Sequence, residues 1–165
     1  MQRINILREV DIFQDLSESQ LERVAQICEE RVHQIGAVIF EENTASDELY
    51  IIADGMVDIR VDPSILGIPS QAGPTTITTL RRGQIFGEVA LVDQGLRSAS
   101  ARCADNNTRL LVINRNDLIA LCDQDFQMGY VLMRNIAADL SFKIRSADLM
   151  IREQLLWRPG RGDEG

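Results

Sequence analysis

Phe86-Gly87-Glu88-Val89-Ala90-Leu91, followed after Val92-Asp93-Gln94-Gly95-Leu96 by Arg97-Ser98-Ala99-Ser100, is the stretch that decides how this chain is read. A glycine lets backbone approach an anion closely, and a short helical turn opening there aims unpaired N–H groups at it. Glu88, beside the glycine, suits a hydroxyl donor, and Arg97 brings a planar cation that can neutralise a phosphate. These residue types together describe a phosphate cradle with a hydroxyl contact at its side. A surface ion pair between Glu88 and Arg97 is the simpler account of the two charges alone, and the glycine and small residues around them weigh against it.

Upstream of the cradle, Val32, Ile35 and Val38-Ile39-Phe40, then Leu49-Tyr50-Ile51-Ile52, then Met56-Val57-Asp58-Ile59-Arg60-Val61, form short β-branched runs. Gly36, residues 43–47 and Asp54-Gly55 punctuate them, and Asp54-Gly55 has the form of a hairpin turn. Residues 62–75 hold Pro63, Pro69, Pro74, Gly67 and Gly73, which predicts a long hairpin loop without regular strand or helix. Its Ile65, Leu66 and Ile68 pack within the loop or dock on a partner. A strand resumes over residues 75–80, Arg81-Arg82-Gly83 turns, and Gln84-Ile85-Phe86 leads into the cradle. Ser100-Ala101-Arg102-Cys103 and residues 108–113 are the last strands, with Asp105-Asn106-Asn107 as their turn. Short strands at this spacing argue for an antiparallel sandwich or jelly roll.

Helices flank the strands. Residues 4–13 suggest a short helix ending in an apolar anchor, and Ser17-Glu18-Ser19-Gln20 has the form of a capping box. That box opens a helix expected to run to about Glu30, with Leu21, Val24, Ala25, Ile27 and Cys28 as its stripe. Asn114-Arg115-Asn116-Asp117 suits a cap for a short helix over 117–121. The longest helical pattern follows residue 125: Met133, Ala137, Leu140, Ile144, Ala147 and Ile151 recur at alternating gaps of four and three, with Leu132, Ile136, Leu149 and Leu155 as a second row. One row can lie on the domain while the other meets a twin helix in a homodimer; the alternative is one amphipathic helix lying wholly on its own domain. The expected division is a helical segment over 1–30, a jelly-roll-like strand region over 31–122, a long dimerisation helix over 123–157 that ends at Trp157, and a disordered tail over 158–165. The fold class is α+β, mainly β.

The chain has 165 residues, enough for one domain with a sizeable core and an appended helix. Its net charge of −8 repels nucleic acid and anionic membrane, so any bound anion has to be gathered locally. No apolar run approaches the ~20 residues that span a bilayer. Cys28, Cys103 and Cys122 form no C-x-x-C pair and suit reduced, packed thiols, so a cytoplasmic protein is expected.

Gly87-Glu88-Val89-Ala90-Leu91 with Arg97-Ser98-Ala99 resembles the phosphate-binding cassette of cyclic nucleotide-binding domains, which occur in catabolite-activator-type regulators, protein kinase A regulatory subunits and cyclic-nucleotide-gated channels. At about one in fifteen per position, a chance match at the seven positions that carry the pattern, all of these but Val89, is on the order of 1 in 10⁸. Gln94 and Leu96 depart from the pattern, where bacterial members often carry glycine and proline. The resemblance implies a β-roll turning at Gly36, Asp47, Tyr50 and Gly55. It also implies a regulatory module without catalytic activity, whose ligand is cAMP or cGMP, with cAMP favoured.

By the same resemblance, Arg97 meets the phosphate, Glu88 accepts from the ribose 2′-hydroxyl, and Gly87, Val89, Ala90, Ser98 and Ala99 line the phosphate. Ile59, Ile77, Leu80 and Phe86 touch base or sugar, unless they are simply core. Lys143, Arg145 and Ser146 stand near where the C-terminal helix holds the base, Arg145 being the choice, and ligand binding moves that helix. No metal, direct nucleic-acid contact or membrane is expected, no helix-turn-helix is expected after Trp157, and the output passes through the dimer or an unidentified downstream protein, unless the chain is a piece of something longer. Two alternatives stand beside this: a dimerisation or protein-interaction domain that keeps the fold without a ligand, and an enzyme on a cupin-like jelly roll. The enzyme would need clustered histidines, and His33 is the sole histidine.

Overall fold

Five consecutive buried residues, Leu49 to Ala53, set the layers of the molecule, because a strand buried on both faces has to lie between two packed surfaces. The computed structural model describes residues 2–67, 73–93 and 95–156. Its helices are α1 (Gln2–Glu9), α2 (Glu18–Ile27), α3 (Val89–Val92), α4 (Arg115–Gln124) and α5 (Phe126–Leu156), with 3₁₀ turns at Asp11–Phe13 and Pro63–Leu66. Its strands are β1 (Cys28–His33), β2 (Val38–Phe40), β3 (Glu48–Asp54), β4 (Met56–Val61), β5 (Thr75–Arg81), β6 (Ile85–Phe86), β7 (Ser100–Cys103) and β8 (Thr108–Asn114). They form two four-stranded antiparallel sheets, β1-β8-β3-β6 and β2-β7-β4-β5. The fold is α+β, mainly β: an antiparallel β-roll with helices laid on one sheet.

Alternation along β3 divides the core. Tyr50 and Ile52 face the second sheet and pack with Val57, Phe86, Ala101 and Val112. Leu49, Ile51 and Ala53 face the helices and pack with Leu7, Phe13, Val24, Leu118 and Leu132. Burial of this kind is worth about 25 cal/mol per Å² of apolar surface, which is why both faces of β3 are aliphatic or aromatic at every position between Glu48 and Asp54.

The turns depart from expectation in an instructive way. Asp54-Gly55 is not a hairpin: β3 pairs with β8 and β6, and β4 pairs with β5 and β7. Both edges of β3 are already taken, so the chain leaves for the other sheet. Gly55 is required at this corner by its φ of 87° and by Thr108, whose Oγ1 would stand 2.3 Å from an added Cβ. The turn between β7 and β8 crosses between sheets in the same manner, with Asn107 at a φ of 56°. The β4–β5 connection is the long hairpin expected, except that Asp62 caps a 3₁₀ turn at Pro63–Leu66, ended by Gly67 in the left-handed region. The expected packing of the Ile65, Leu66 and Ile68 side chains lies outside the described residues, as do Trp157 and the 158–165 tail.

The capping box forms: Ser17 Oγ accepts from Gln20 N, and Gln20 Oε1 accepts from Ser17 N. Its helix stops at Ile27 rather than near Glu30, because Cys28 turns extended and pairs with Ile113. Helix α4 is longer than the 117–121 expected, capped by Asn114, whose Oδ1 accepts from Asn116 N. A break at Asp125 separates α4 from the 31-residue α5. Asp125 accepts from Met128 N, closing the start of α5, and from Gln20 Nε2, which also donates to Gln127 Oε1 at 2.7 Å.

Helix α5 splits into two halves. Met128, Val131, Leu132 and Ile136 are buried on the domain, with Met133 and Leu140 packed partly beside them. Phe142, Ile144, Leu149, Met150, Ile151, Leu155 and Leu156 are exposed. Met133 and Leu140, expected in the seam, therefore serve the domain's own core, while Ala137 is exposed and the exposed large residues of that seam are Ile144 and Ile151.

Gln20 is 7% exposed and joins the cap of α2 to the cap of α5. Gln20→Ala is expected to cost about 1–3 kcal/mol by removing at once the acceptor for Ser17 N and the donor to Asp125 and Gln127. Its thermal midpoint, followed by circular dichroism, should fall by roughly 3–9 °C.

Candidate functional site

Burial sets the problem at this site: Glu88 is 6% exposed and Arg97 7%, although both carry charge. An uncompensated buried ion costs on the order of several kcal/mol, so each must be held by partners. Arg97 is held by neutral ones. Its Nη2 donates to Glu48 O at 2.8 Å and to Ser46 Oγ, and its Nη1 donates to Gly87 O at 3.3 Å. The guanidinium carbon lies 4.1 Å from the centroid of the Phe40 ring. The Tyr50 ring lies 5.7 Å from the same carbon and stacks on Phe86 with centroids 4.9 Å apart, so a cluster of three aromatic rings backs the cation. Arg97 Nε finds no acceptor, and among the described residues no carboxylate forms an ion pair with this guanidinium. Loss of water holds the Arg97 pKa below its ordinary value, more than the neighbouring negative groups raise it.

The backbone explains how Arg97 returns to this place. Asn43 N donates to Arg97 O and Arg97 N to Thr44 O, so the loop before β3 zips to the strand-like segment before Ser98. Ala45 and Leu96 make an isolated antiparallel bridge beside them. Gly87, at a φ of 78°, opens the turn into α3. An added Cβ there would stand 2.5 Å from Arg97 Nη1 and 3.0 Å from Glu48 O, so the residue has to be glycine for its conformation and for the approach of the guanidinium.

Glu88 is held differently. Lys143 of α5 donates to Glu88 Oε1 at 2.5 Å and lies 2.9 Å from Asp139 Oδ2, one turn back on the same helix. Burial opposes charge on Lys143, but Glu88 and Asp139 outweigh it and hold its pKa above the usual lysine range. Lys143 is the sole lysine of the chain.

These side chains line a cavity of about 430 Å³. Buried Arg97 and Glu88 line its base with Gly87 and Ala90, and Val89, Ser98 and Ala99 line it as well. Its apolar wall is Ile59, Leu80 and Phe86, joined by Phe40 and Thr78. Two residues expected here are elsewhere. Ile77 is the extra residue of a bulge, since Ile59 pairs with Thr78 and Arg60 with Thr76, and it is 57% exposed while Thr78 takes the wall. Arg145 is exposed and away from the cavity, because Lys143 occupies the face of α5 that meets it. Phe40, Ser46 and Thr78 were not anticipated. The aromatic spacing of Phe40, Tyr50 and Phe86 carries no local signal, since strands from both sheets bring the three rings together. Gln94 lies outside the described residues.

A cradle with a cation free of carboxylates, a carboxylate beside it and an apolar wall suits a small sugar-phosphate carrying a flat ring. The family model for the cyclic nucleotide-binding domain matches residues 30–125. This chain belongs to the cyclic nucleotide-binding domain family. It is 32% identical over 138 residues to the cyclic AMP receptor protein of Thermus thermophilus, covering 84% of this chain and 59% of that protein. It is 29% identical over 130 residues to cGMP-dependent protein kinase, isozyme 1, of Drosophila melanogaster, covering 74% of this chain and 16% of the kinase. The crystal structure of Thermus thermophilus catabolite activator protein superposes with a TM-score of 0.72 at 28% identity, over 87% of this chain and 62% of that one. The likeness to the kinase spans a small part of it, so what the two share is the cyclic nucleotide-binding domain. Among the described residues no helix is long and apolar enough to cross a membrane.

Gly87→Ala is expected to strain the turn by about 1–3 kcal/mol and to push Arg97 off its acceptors. Urea unfolding should show a lower midpoint with an unchanged slope.

Proposed function

We propose that this chain is a cyclic nucleotide sensor in the cytoplasm, that it favours cAMP over cGMP, and that it couples ligand binding to movement of α5 rather than to catalysis. The observation that carries this is Arg97: a guanidinium buried without a carboxylate partner among the described residues, in a cavity also lined by Glu88. A cyclic phosphodiester carries one negative charge, which one arginine can balance without a metal. Glu88 accepts from the ribose 2′-hydroxyl, and Gly87, Val89, Ala90, Ser98 and Ala99 line the phosphate. Support for cAMP comes from the wall of Ile59 and Leu80, where guanine would bring more polar groups than Thr78 alone can satisfy. Buried free thiols at Cys28, Cys103 and Cys122, the first pushed up to about 12 by burial, suit a reducing compartment.

The Lys143–Glu88 contact supports coupling to α5, because a ribose hydroxyl that takes Glu88 competes with a cation on that helix. The exposed row of Ile144, Ala147 and Ile151, continued by Leu155, supports a homodimer through α5, with Ala137 at its edge. The response then reaches a downstream protein through the dimer.

Calorimetric titration with cAMP and cGMP tests the reading directly. Binding is expected for both, tighter for cAMP, and weaker for 2′-deoxy-cAMP. Arg97→Ala should lower affinity by at least about tenfold. A folded protein that binds neither nucleotide at high micromolar concentration would leave a dimerisation domain without a ligand. Ile144→Asp should convert the dimer to a monomer by light scattering; an unchanged mass would remove the α5 interface.

A further inference from the structure

Glu48 poses a problem for anion binding that the strand pairing does not solve. Its carbonyl oxygen accepts from Arg97 Nη2 at 2.8 Å, so its carboxylate belongs to the residue nearest the ligand's intended cation. Paired with that cation, the carboxylate would cancel the charge the phosphate needs. It is paired elsewhere. Arg31 Nη1 and Nη2 donate to Glu48 Oε2 and Oε1 at 3.1 and 2.8 Å, a two-point clasp, and Tyr50 Oη donates to Oε2 at 2.6 Å. Arg31 lies on β1 and Glu48 on β3, with β8 between them, so the side chain reaches across a whole strand to make this contact. Glu29 accepts from Arg31 Nε and Nη2 and steadies the guanidinium from the other side.

We propose that Arg31 is a positioning residue for anion binding: by clasping Glu48, it withholds that carboxylate from Arg97 and keeps the Arg97 charge available to the phosphate. The Lys143 contact with Glu88 has the same effect on the second carboxylate of the site. Glu48 and Glu88 thus have cations of their own, and Arg97 is left with carbonyl oxygens, a hydroxyl and an aromatic face. The depressed Arg97 pKa agrees with this, since a direct carboxylate partner would raise it. Arg31 touches neither Arg97 nor the cavity. Its effect on binding therefore runs through Glu48. The proposal rests on the cyclic nucleotide reading for its ligand, but the state of Arg97 can be read without one.

The test compares wild type, Arg31→Gln, and the double substitution Arg31→Gln with Glu48→Gln. In the ligand-free proteins, the Arg97 side-chain Nε–H and guanidinium nitrogen resonances are followed by NMR, assigned through Arg97→Lys. Freed Glu48 should pair with Arg97 in Arg31→Gln, shifting these resonances and slowing their solvent exchange, and the double substitution should return them to wild-type values. Affinity for cAMP should fall about tenfold in Arg31→Gln and recover to within about threefold of wild type in the double substitution. A merely structural role for Arg31 predicts the opposite for the double, which removes still more of the clasp. Unchanged Arg97 resonances in Arg31→Gln, or affinity that stays low in the double substitution, would overturn the proposal. Should wild type bind neither cAMP nor cGMP, the sensor reading falls alone, and the resonances still decide whether Arg31 withholds Glu48.

Discussion

A buried guanidinium that no carboxylate among the described residues pairs with is the constraint around which this domain is arranged. Arg97 can be kept from water only because a carbonyl of β3, the carbonyl of Gly87, the hydroxyl of Ser46 and the face of Phe40 surround it. Each of those partners fixes something larger. The β3 carbonyl requires the strand buried between the two layers, Gly87 requires a positive φ at the mouth of α3, and Phe40 requires β2 to lie over β3 from the opposite sheet. The aromatic cluster joins the two sheets at the point where the cation sits. Fold and site share their central contacts.

The carboxylates near Arg97 show how charge is apportioned in a small volume. Glu48 meets Arg31 and Glu88 meets Lys143, so the acids are balanced by residues of β1 and α5. A guanidinium in this setting interacts strongly with whatever anion enters, because little water is present to weaken the attraction. The same partition ties the site to distant elements: β1 through one acid, and the long helix through the other.

Much of this was legible in the residue order, and what was not has a common cause. The cassette from Phe86 to Ala99 is local, and its glycine, acid and arginine declare their chemistry within a short span of chain. The capping box at Ser17–Gln20 is local too, and it forms as written. Asp54-Gly55 looks the same to a sequence whether the next strand folds back beside the last or crosses to another sheet; the outcome depends on β8 and β6 already holding both edges of β3. Ile77 lost its place to Thr78 through a single-residue bulge, which reverses the alternation without changing composition. On α5, the difference between Arg145 and Lys143 is about half a turn, finer than any pattern of apolar spacing fixes. The seam was split for a related reason: Met133 and Leu140 fit a heptad equally well whether they face a twin or their own core.

Helix α5 leaves the domain just past Leu140, and Lys143 stands at the point of departure, between an acid on the body and an acid on the helix itself. The portion from residue 141 to its last described turn is about 24 Å long at 1.5 Å per residue. A rod of that length turns any small tilt at its root into a large displacement at its end. A tilt of about 10° there sweeps the far end through roughly 4 Å, enough to take a row of side chains out of register with anything they were meshed against.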